Sequence, residues 1–351
     1  MRRAFNAEML VLARESRGLL QKDFSEQVGL SQGEISKIEA GVRIPAPEMI
    51  DRISQALKYP RQFFFIDDSL KGSTSTCVYY RKRQSATLGA IRRALAIVNV
   101  RRIQISKLLI AGAAELEANA FTKLDVESNG GPDRIADIIR AIWKIPPGPV
   151  VNVVRTIEDA GGLVFRCDFG TAKIDALSQW PQGLPPMFFV NDRIPVDRMR
   201  WTLTHELGHV LMHQIPTEDI EREADRFAAQ FLMPSESIRP YLQNLTLPKL
   251  ASLKPYWRVA MSALLKRASD LNVITPRQKS YLWYQMGANG YRTKEPVEIP
   301  PEEPTLVREL IDLHRNQLGF SEAQISGLLV MDEQEARSEY LHSHSRLRIV
   351  G

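Results

Sequence analysis

Cysteine is scarce in this chain: Cys77 and Cys167 are the only two in 351 residues, far apart and outside any Cys-x-x-Cys pair. That argues against a disulfide framework and fits a reducing, cytoplasmic setting. No apolar run approaches the roughly 18–20 residues that span a bilayer, so no membrane partner is expected. The start, Met1-Arg2-Arg3, leads into no uninterrupted apolar stretch, because Arg14, Glu15 and Arg17 intervene, and no signal peptide is expected. Internal repeats and extended low-complexity tracts are also missing. A strong overall charge is absent too: the net charge is +5 and the sequence pI about 9.1. What remains is an ordinary globular composition, 44% hydrophobic and 25% charged. At 351 residues, two or three domains are the expectation.

The charge is unevenly placed. Between Lys71 and Ala114 stand nine Lys or Arg (Lys71, Arg81, Lys82, Arg83, Arg92, Arg93, Arg101, Arg102 and Lys107) and no acid. Such a block is usually a solvated face; beside a DNA-binding domain it is also a candidate for phosphate contact.

Apolar periodicity gives the order of elements. Residues 4–65 read as short helices: 6–16, 20–28 ended by Gly29, 32–39 capped by Ser31, and 47–57 after Pro45, with Phe63, Phe64 and Phe65 closing the core. Residues 66–76 read as a linker. A helix from about Ala86 to Glu117 follows, with Leu88, Ile91, Leu95, Val98, Ile105 and Leu109 at heptad spacing and Arg102 breaking the seam. It packs either on the next domain or on a second copy. Beyond Pro132 come helices at 135–142 and 150–160, strands at 163–168, 175–179 and 187–191, and helices at 195–213 and 218–231. Residues 255–290 are mostly helical, Pro296 to Pro304 form an acidic linker, and 306–341 are helical again. This is an α+β order rather than strict βαβ alternation.

The chemistry is concentrated in His205-Glu206-Leu207-Gly208-His209. Residues four apart share a helix face, so His205 and His209 present two imidazoles to one point, as two ligands of a tetrahedral zinc would. Zinc lowers the pKa of its water toward about 7, and Glu206 is placed to act as general base and then to protonate a leaving amine. Gly208 is costly inside a helix and marks close packing or room for substrate. Catalytic zinc needs a third protein ligand. Glu221 and Asp225 share a face of the following helix, so Glu221 can ligate while Asp225 accepts the free ring N–H of a ligating histidine. Glu223 is the alternative ligand. His213 is either a substrate-side donor or a satisfied structural histidine. Tyr241, Tyr256 and Arg200 are candidates for oxyanion stabilisation.

The stretch "TLTHELGHVLMH" with "EREADRFAAQFLMP" resembles the ImmA/IrrE family of zinc metallopeptidases, in the gluzincin class, over roughly Val150 to Pro240. The resemblance implies His205, His209 and Glu221 as ligands, Glu206 as base, and helix-turn-helix repressors as substrates. Likewise "LLQKDFSEQVGLSQGEISKIEAGVRIPAPEMIDRISQAL" resembles the XRE/Cro-type helix-turn-helix. It implies recognition of double-stranded operator DNA by helix 32–39, with Gln32, Gly33, Glu34, Ser36 and Lys37 toward base edges and Ser31 and Arg43 toward phosphates. A bundle used only for protein contact is the other reading. A homodimer is expected, since paired half-sites match a two-fold protein.

The expected fold is therefore multidomain. An all-α helix-turn-helix bundle (1–66) and a linker with a basic helix (67–130) precede an α+β zincin-like metallopeptidase domain (131–250), and a mostly helical C-terminal extension (251–351) follows. The expected function is a DNA-binding transcriptional regulator acting by limited proteolysis of a repressor or of itself. The alternative is a DNA-binding regulator or antitoxin whose zincin fold only senses a metal or ligand.

Overall fold

A computed structural model describes residues 4–67, 86–112, 120–213 and 218–341. Lys71, Arg81, Lys82, Arg83, Cys77 and the Gly-Ser-Thr stretch of the first linker lie outside the described residues, as does the end of the tail.

Four helices open the chain: α1 (Ala7–Ser16), α2 (Gln21–Val28), α3 (Gln32–Glu39) and α4 (Pro47–Leu57), followed by a 3₁₀ turn, Arg61–Phe65. Local chemistry sets their ends. Asn6 caps α1, and Gly29 ends α2 in the left-handed region at φ 68°. Ser31 and Glu34 form a reciprocal capping box on α3. Met9, Leu10, Phe24, Ile35, Ile53, Phe63 and Phe64 close the core of this bundle.

A three-stranded sheet of order β1-β3-β2 lies at the centre of the second half. Strand β1 (Leu163–Cys167) runs parallel to β3 (Met187–Asn191), and β2 (Ala176–Gln179) runs antiparallel to β3 at one edge. Leu163 to Phe165 and Met187 to Val190 are continuous apolar runs because both faces of the sheet are buried there. Val164, Ala176, Phe188 and Val190 face one core; Leu163, Phe165, Leu177, Met187 and Phe189 face another. The first core is filled by α6 (Pro132–Ile142), α7 (Val153–Asp159), α8 (Val196–Met212), α9 (Ile220–Leu232), the short α10 (Ser235–Ile238), α11 (Leu247–Trp257), α12 (Met261–Asp270) and α13 (Pro276–Ala288). Residues 250–286 thus share one core with the sheet: Leu250, Trp257, Leu264 and Met286 are fully or nearly fully buried in it.

The second core is built by α5 (Leu88–Gly112), α14 (Leu306–Asp312), a π turn (Leu313–Gln317), α15 (Glu322–Leu329) and α16 (Glu333–Ala336). Helix α5 is buried on two sides. Ala94, Val98, Ile105 and Leu108 face the sheet, while Ala96, Val100 and Ile103 enter the core of the N-terminal bundle. Most of its heptad stripe is therefore covered by the protein's own second core, with Ile91, Leu95 and Leu109 packed there too, while Leu88 stays exposed. Its arginines follow suit. Arg101 bonds Gln104, Tyr340 and Glu339, and the Arg93 side chain lies against Gly18 and Gly170. The expectation of phosphate contact does not hold for Arg101, whose guanidinium is held by these protein groups.

The Pro-rich segment is not a free acidic linker either. Glu302 is buried, accepts from the amides of Val153 (2.8 Å) and Val154 (3.2 Å) at the start of α7, and pairs with Arg200. From α7, Glu158 returns the favour to α14, accepting from the amides of Thr305 (3.1 Å) and Leu306 (3.0 Å). Each helix start is satisfied by a carboxylate from beside the other, as the positive end of a helix favours.

Candidate metal centre

Helix α8 buries Leu203, Leu207 and Leu211 in the first core. Gly208 lets α9 approach: a Cβ there would lie 3.1 Å from Phe227 Cδ1 and 3.4 Å from Ala224 Cα. Of the two readings of this glycine, close packing is what the structure holds. The approach brings Glu221, at the start of α9, over the two histidines of α8.

Three ligand atoms converge. His205 Nε2 and His209 Nε2 are 3.0 Å apart, His205 Nε2 is 3.5 Å from Glu221 Oε2, and His209 Nε2 is 3.3 Å from Glu221 Oε1. Atoms about 2.0–2.2 Å from a tetrahedral zinc lie roughly 3.3–3.6 Å from one another; the two histidine–carboxylate separations fall in that range, and the two ring nitrogens lie slightly closer. The other ring nitrogens are engaged. His205 Nδ1 is 3.1 Å from Asp225 Oδ1, and His209 Nδ1 is 2.8 Å from His213 Nδ1, whose Nε2 is in turn 3.0 Å from Glu223 Oε2. A consistent assignment has His205 and His209 donating from Nδ1 and His213 donating from Nε2 to Glu223. Two imidazole lone pairs then face each other beside a carboxylate, an arrangement that a bound metal ion, or in its absence a proton, relieves.

Residues 157–269 match the IrrE N-terminal-like domain family. Residues 10–64 match the helix-turn-helix family. The chain thus joins a helix-turn-helix DNA-binding domain to an IrrE-like, metallopeptidase-type domain. The IrrE-like match opens in α7, takes in the whole sheet and the three convergent residues, and closes in α12. No curated protein matches the chain.

The electrostatics of the IrrE-like site agree with the donor set. Burial disfavours a charged His205, but hydrogen bonds to Asp225 and Glu221 outweigh it and raise its pKa to about 9. Glu221 is held far below the usual carboxylate range by His205 and His209. His213 is pushed down to about 3 by burial and by the neighbouring His209 and His205, so it stays neutral. Asp225 faces two ways: Oδ2 accepts from Lys266 Nζ at 3.2 Å while Oδ1 faces His205.

Glu206 is fully buried and accepts a 2.7 Å hydrogen bond from Ser178 Oγ, on the edge strand β2. A cavity of about 780 Å³ opens at His205 and Glu221. Leu177 of β2, Trp201 of α8 and Ile91, Ala94 and Leu95 of α5 form its walls.

Several sequence-named residues take other places. Glu223, the alternative third ligand, bonds His213 instead, and His213 is the satisfied histidine rather than a free donor. Arg200 is not at the site: it is buried against Glu302, the Arg258 carbonyl and the Val150 carbonyl, so it serves packing. Tyr241 and Tyr256 stack on one another, with ring centroids 5.5 Å apart, and neither lines the metal cavity. Ser178 was missed, since nothing in a strand sequence says which residue of a distant helix its hydroxyl will meet. The His213–Glu223 pair had one legible signal, the four-residue spacing of His209 and His213.

On the helix-turn-helix domain, Gln32, Gly33, Ser36 and Lys37 of α3 are exposed. Ser31, Glu34 and Arg43 are tied together. Glu34 accepts from the Ser31 amide (3.2 Å) and from Arg43 (2.7 Å), so its charge is paired within the domain.

Proposed function

We propose that this chain is a DNA-binding regulator whose IrrE-like domain is a zinc-dependent endopeptidase that cleaves a regulatory protein, either a helix-turn-helix repressor or the chain itself. The observation that carries the reading is the convergence of His205 Nε2, His209 Nε2 and Glu221 at zinc-ligand spacing, with the remaining ring nitrogens engaged. A bound zinc would act as Lewis acid toward the scissile carbonyl and acidify the attacking water. Glu206 removes that water's proton and delivers it to the leaving amine. Ser178 orients the Glu206 carboxylate, and Asp225 and His213 fix the two histidine tautomers. The peptide lies in the cavity between α8, β2 and α5. At the other end, Gln32, Gly33, Ser36 and Lys37 read base edges in the major groove of a double-stranded operator, Ser31 and Arg43 sit toward phosphates, and the chain works as a homodimer on paired half-sites.

Metal analysis combined with mass spectrometry tests this. Purified protein should hold about one zinc per chain. Incubation with its own chain and with operator-binding repressors should yield a defined fragment that Glu206→Gln abolishes at unchanged zinc content. Zinc at that level with no Glu206-dependent fragment would replace the protease by a metal-sensing regulator.

A further inference from the structure

A second cavity, about 990 Å³, shares Arg198, Trp201 and Asp225 with the cavity at His205 and Glu221. Its far wall, including Lys279, Trp283 and Tyr291 to Ile299, falls beyond residue 269, where the IrrE-like match ends. This wall lies outside the matched span.

The lining combines aromatic faces with cations. Trp201, Trp283 and Tyr291 are half-buried around the cavity. Lys266 Nζ lies 5.7 Å from the Trp201 ring centroid, and the Arg292 guanidinium lies 5.7 Å from that of Trp283. Arg292 is already positioned: Nη2 donates to the Trp283 carbonyl at 3.1 Å, and the side chain rests against Gly287, where a Cβ would come within 3.2 Å of its Nε. Among the acids on the wall, Asp197 and Glu295 each bond Lys254 at 2.6 Å, and Asp225 is engaged by His205 and Lys266. Against Lys279, Arg292 and Lys294 there remain Asp270 and Glu298, acceptors suited to hydroxyl or amino groups.

We infer that this cavity binds a small aromatic anion that also carries hydrogen-bond donors, of about the size of a nucleoside monophosphate. The ring lies against Trp201 and Trp283, and the anionic group meets Arg292 and Lys279. The volume is that of a small-molecule pocket. Occupancy reaches the metal centre through Lys266: an anion that draws Lys266 away leaves Asp225 to His205 alone. That coupling rests on the metal reading above, whereas binding in the cavity does not.

The test uses the full chain. Adenosine monophosphate, adenosine and ribose 5-phosphate are each titrated by calorimetry and by tryptophan fluorescence. Adenosine monophosphate should bind saturably at one site per chain, at least tenfold more tightly than adenosine, which lacks the anion, or ribose 5-phosphate, which lacks the ring. Arg292→Glu and Lys279→Glu, each checked for an unchanged melting temperature, should weaken it at least tenfold, and Arg155→Glu, outside the cavity wall, should not. Where charge reversal unfolds the chain, Arg292→Gln and Lys279→Gln replace it. Cobalt-substituted protein should shift its visible spectrum on saturation. Absence of saturable binding, equal affinity for adenosine, or binding indifferent to Arg292 would overturn the site; saturation without a spectral shift would overturn its link to the metal.

Discussion

At the scale of single residues, the candidate metal centre depends on groups outside its donor set. Asp225 holds the His205 ring by one oxygen. Removing its charge while keeping its shape, Asp225→Asn, should weaken zinc binding about 10–100-fold, the usual effect of losing such a partner, with little change in fold. Competition against a chelating dye measures this; an affinity unchanged within twofold would show that Asp225 does not orient the ligand. The same residues set the pH response of the metal-free protein. His205 has its pKa raised from 6.5 to about 9, so it binds a proton more tightly folded than unfolded. Its contribution to stability is fully present below about pH 6.5 and is lost as pH rises through about 9. Thermal melts of chelator-treated protein should therefore lose stability between those limits, and His205→Gln should flatten that part of the curve. Much of this centre is legible in the chain. The spacings 205/209 and 221/225 place side chains on shared helix faces, and periodicity of that kind is local. Ser178 and Glu302 are not legible, because their partners lie on other elements and only the tertiary fold brings them within reach.

At the scale of elements, the site is a product of how closely two helices pack. Residue 208 has no side chain, and Phe227 and Ala224 fill the space where one would be. A β-branched side chain there must push α9 outward. Gly208→Val should cost about 1–3 kcal/mol by overpacking and loosen zinc binding with it, because Glu221 rides on α9. Denaturant melts and metal titration on one preparation check both; a variant that is less stable but binds zinc normally would separate Glu221 from the packing of α9. The helix boundaries themselves follow from local signals such as Asn6, Ser31 and Gly29, and the alternation of Val164 and Phe165 between two cores follows from strand geometry. Helix α5 was harder. Its apolar stripe could belong to the protein's own sheet or to a second copy, and Arg92, Arg93, Arg101 and Arg102 suggest a solvated, phosphate-facing surface. Nothing within the helix reveals that Glu339 and Tyr340, some 240 residues later, cover Arg101, or that Gly18 and Gly170 leave room for Arg93.

At the scale of the whole molecule, α5 is the element that both halves share. One side packs on the sheet of the IrrE-like domain and the other on the helix-turn-helix bundle, while its first turns line the metal cavity. A second bond crosses the same boundary: Arg17 of the bundle forms a two-pronged pair with Glu335 of α16, at 2.7 and 2.8 Å, and also donates to the Leu57 carbonyl. A bundle held this way should not unfold as a separate unit. Ile103, buried at 2% exposure, sits in the shared core. Ile103→Ala removes packing from both halves of the interface and should cost about 2–5 kcal/mol. Calorimetry of the wild-type chain should then show the bundle and the sheet melting in one transition. In Ile103→Ala combined with Arg17→Ala, an earlier transition should split off, carrying the enthalpy of a domain of about sixty residues, while the metal centre melts near its original temperature. Loss of operator binding should track that first transition. If instead the wild type already melts in two steps, the two domains are tethered rather than fused through α5, and events in the metal cavity would have no rigid route to the DNA-reading helix.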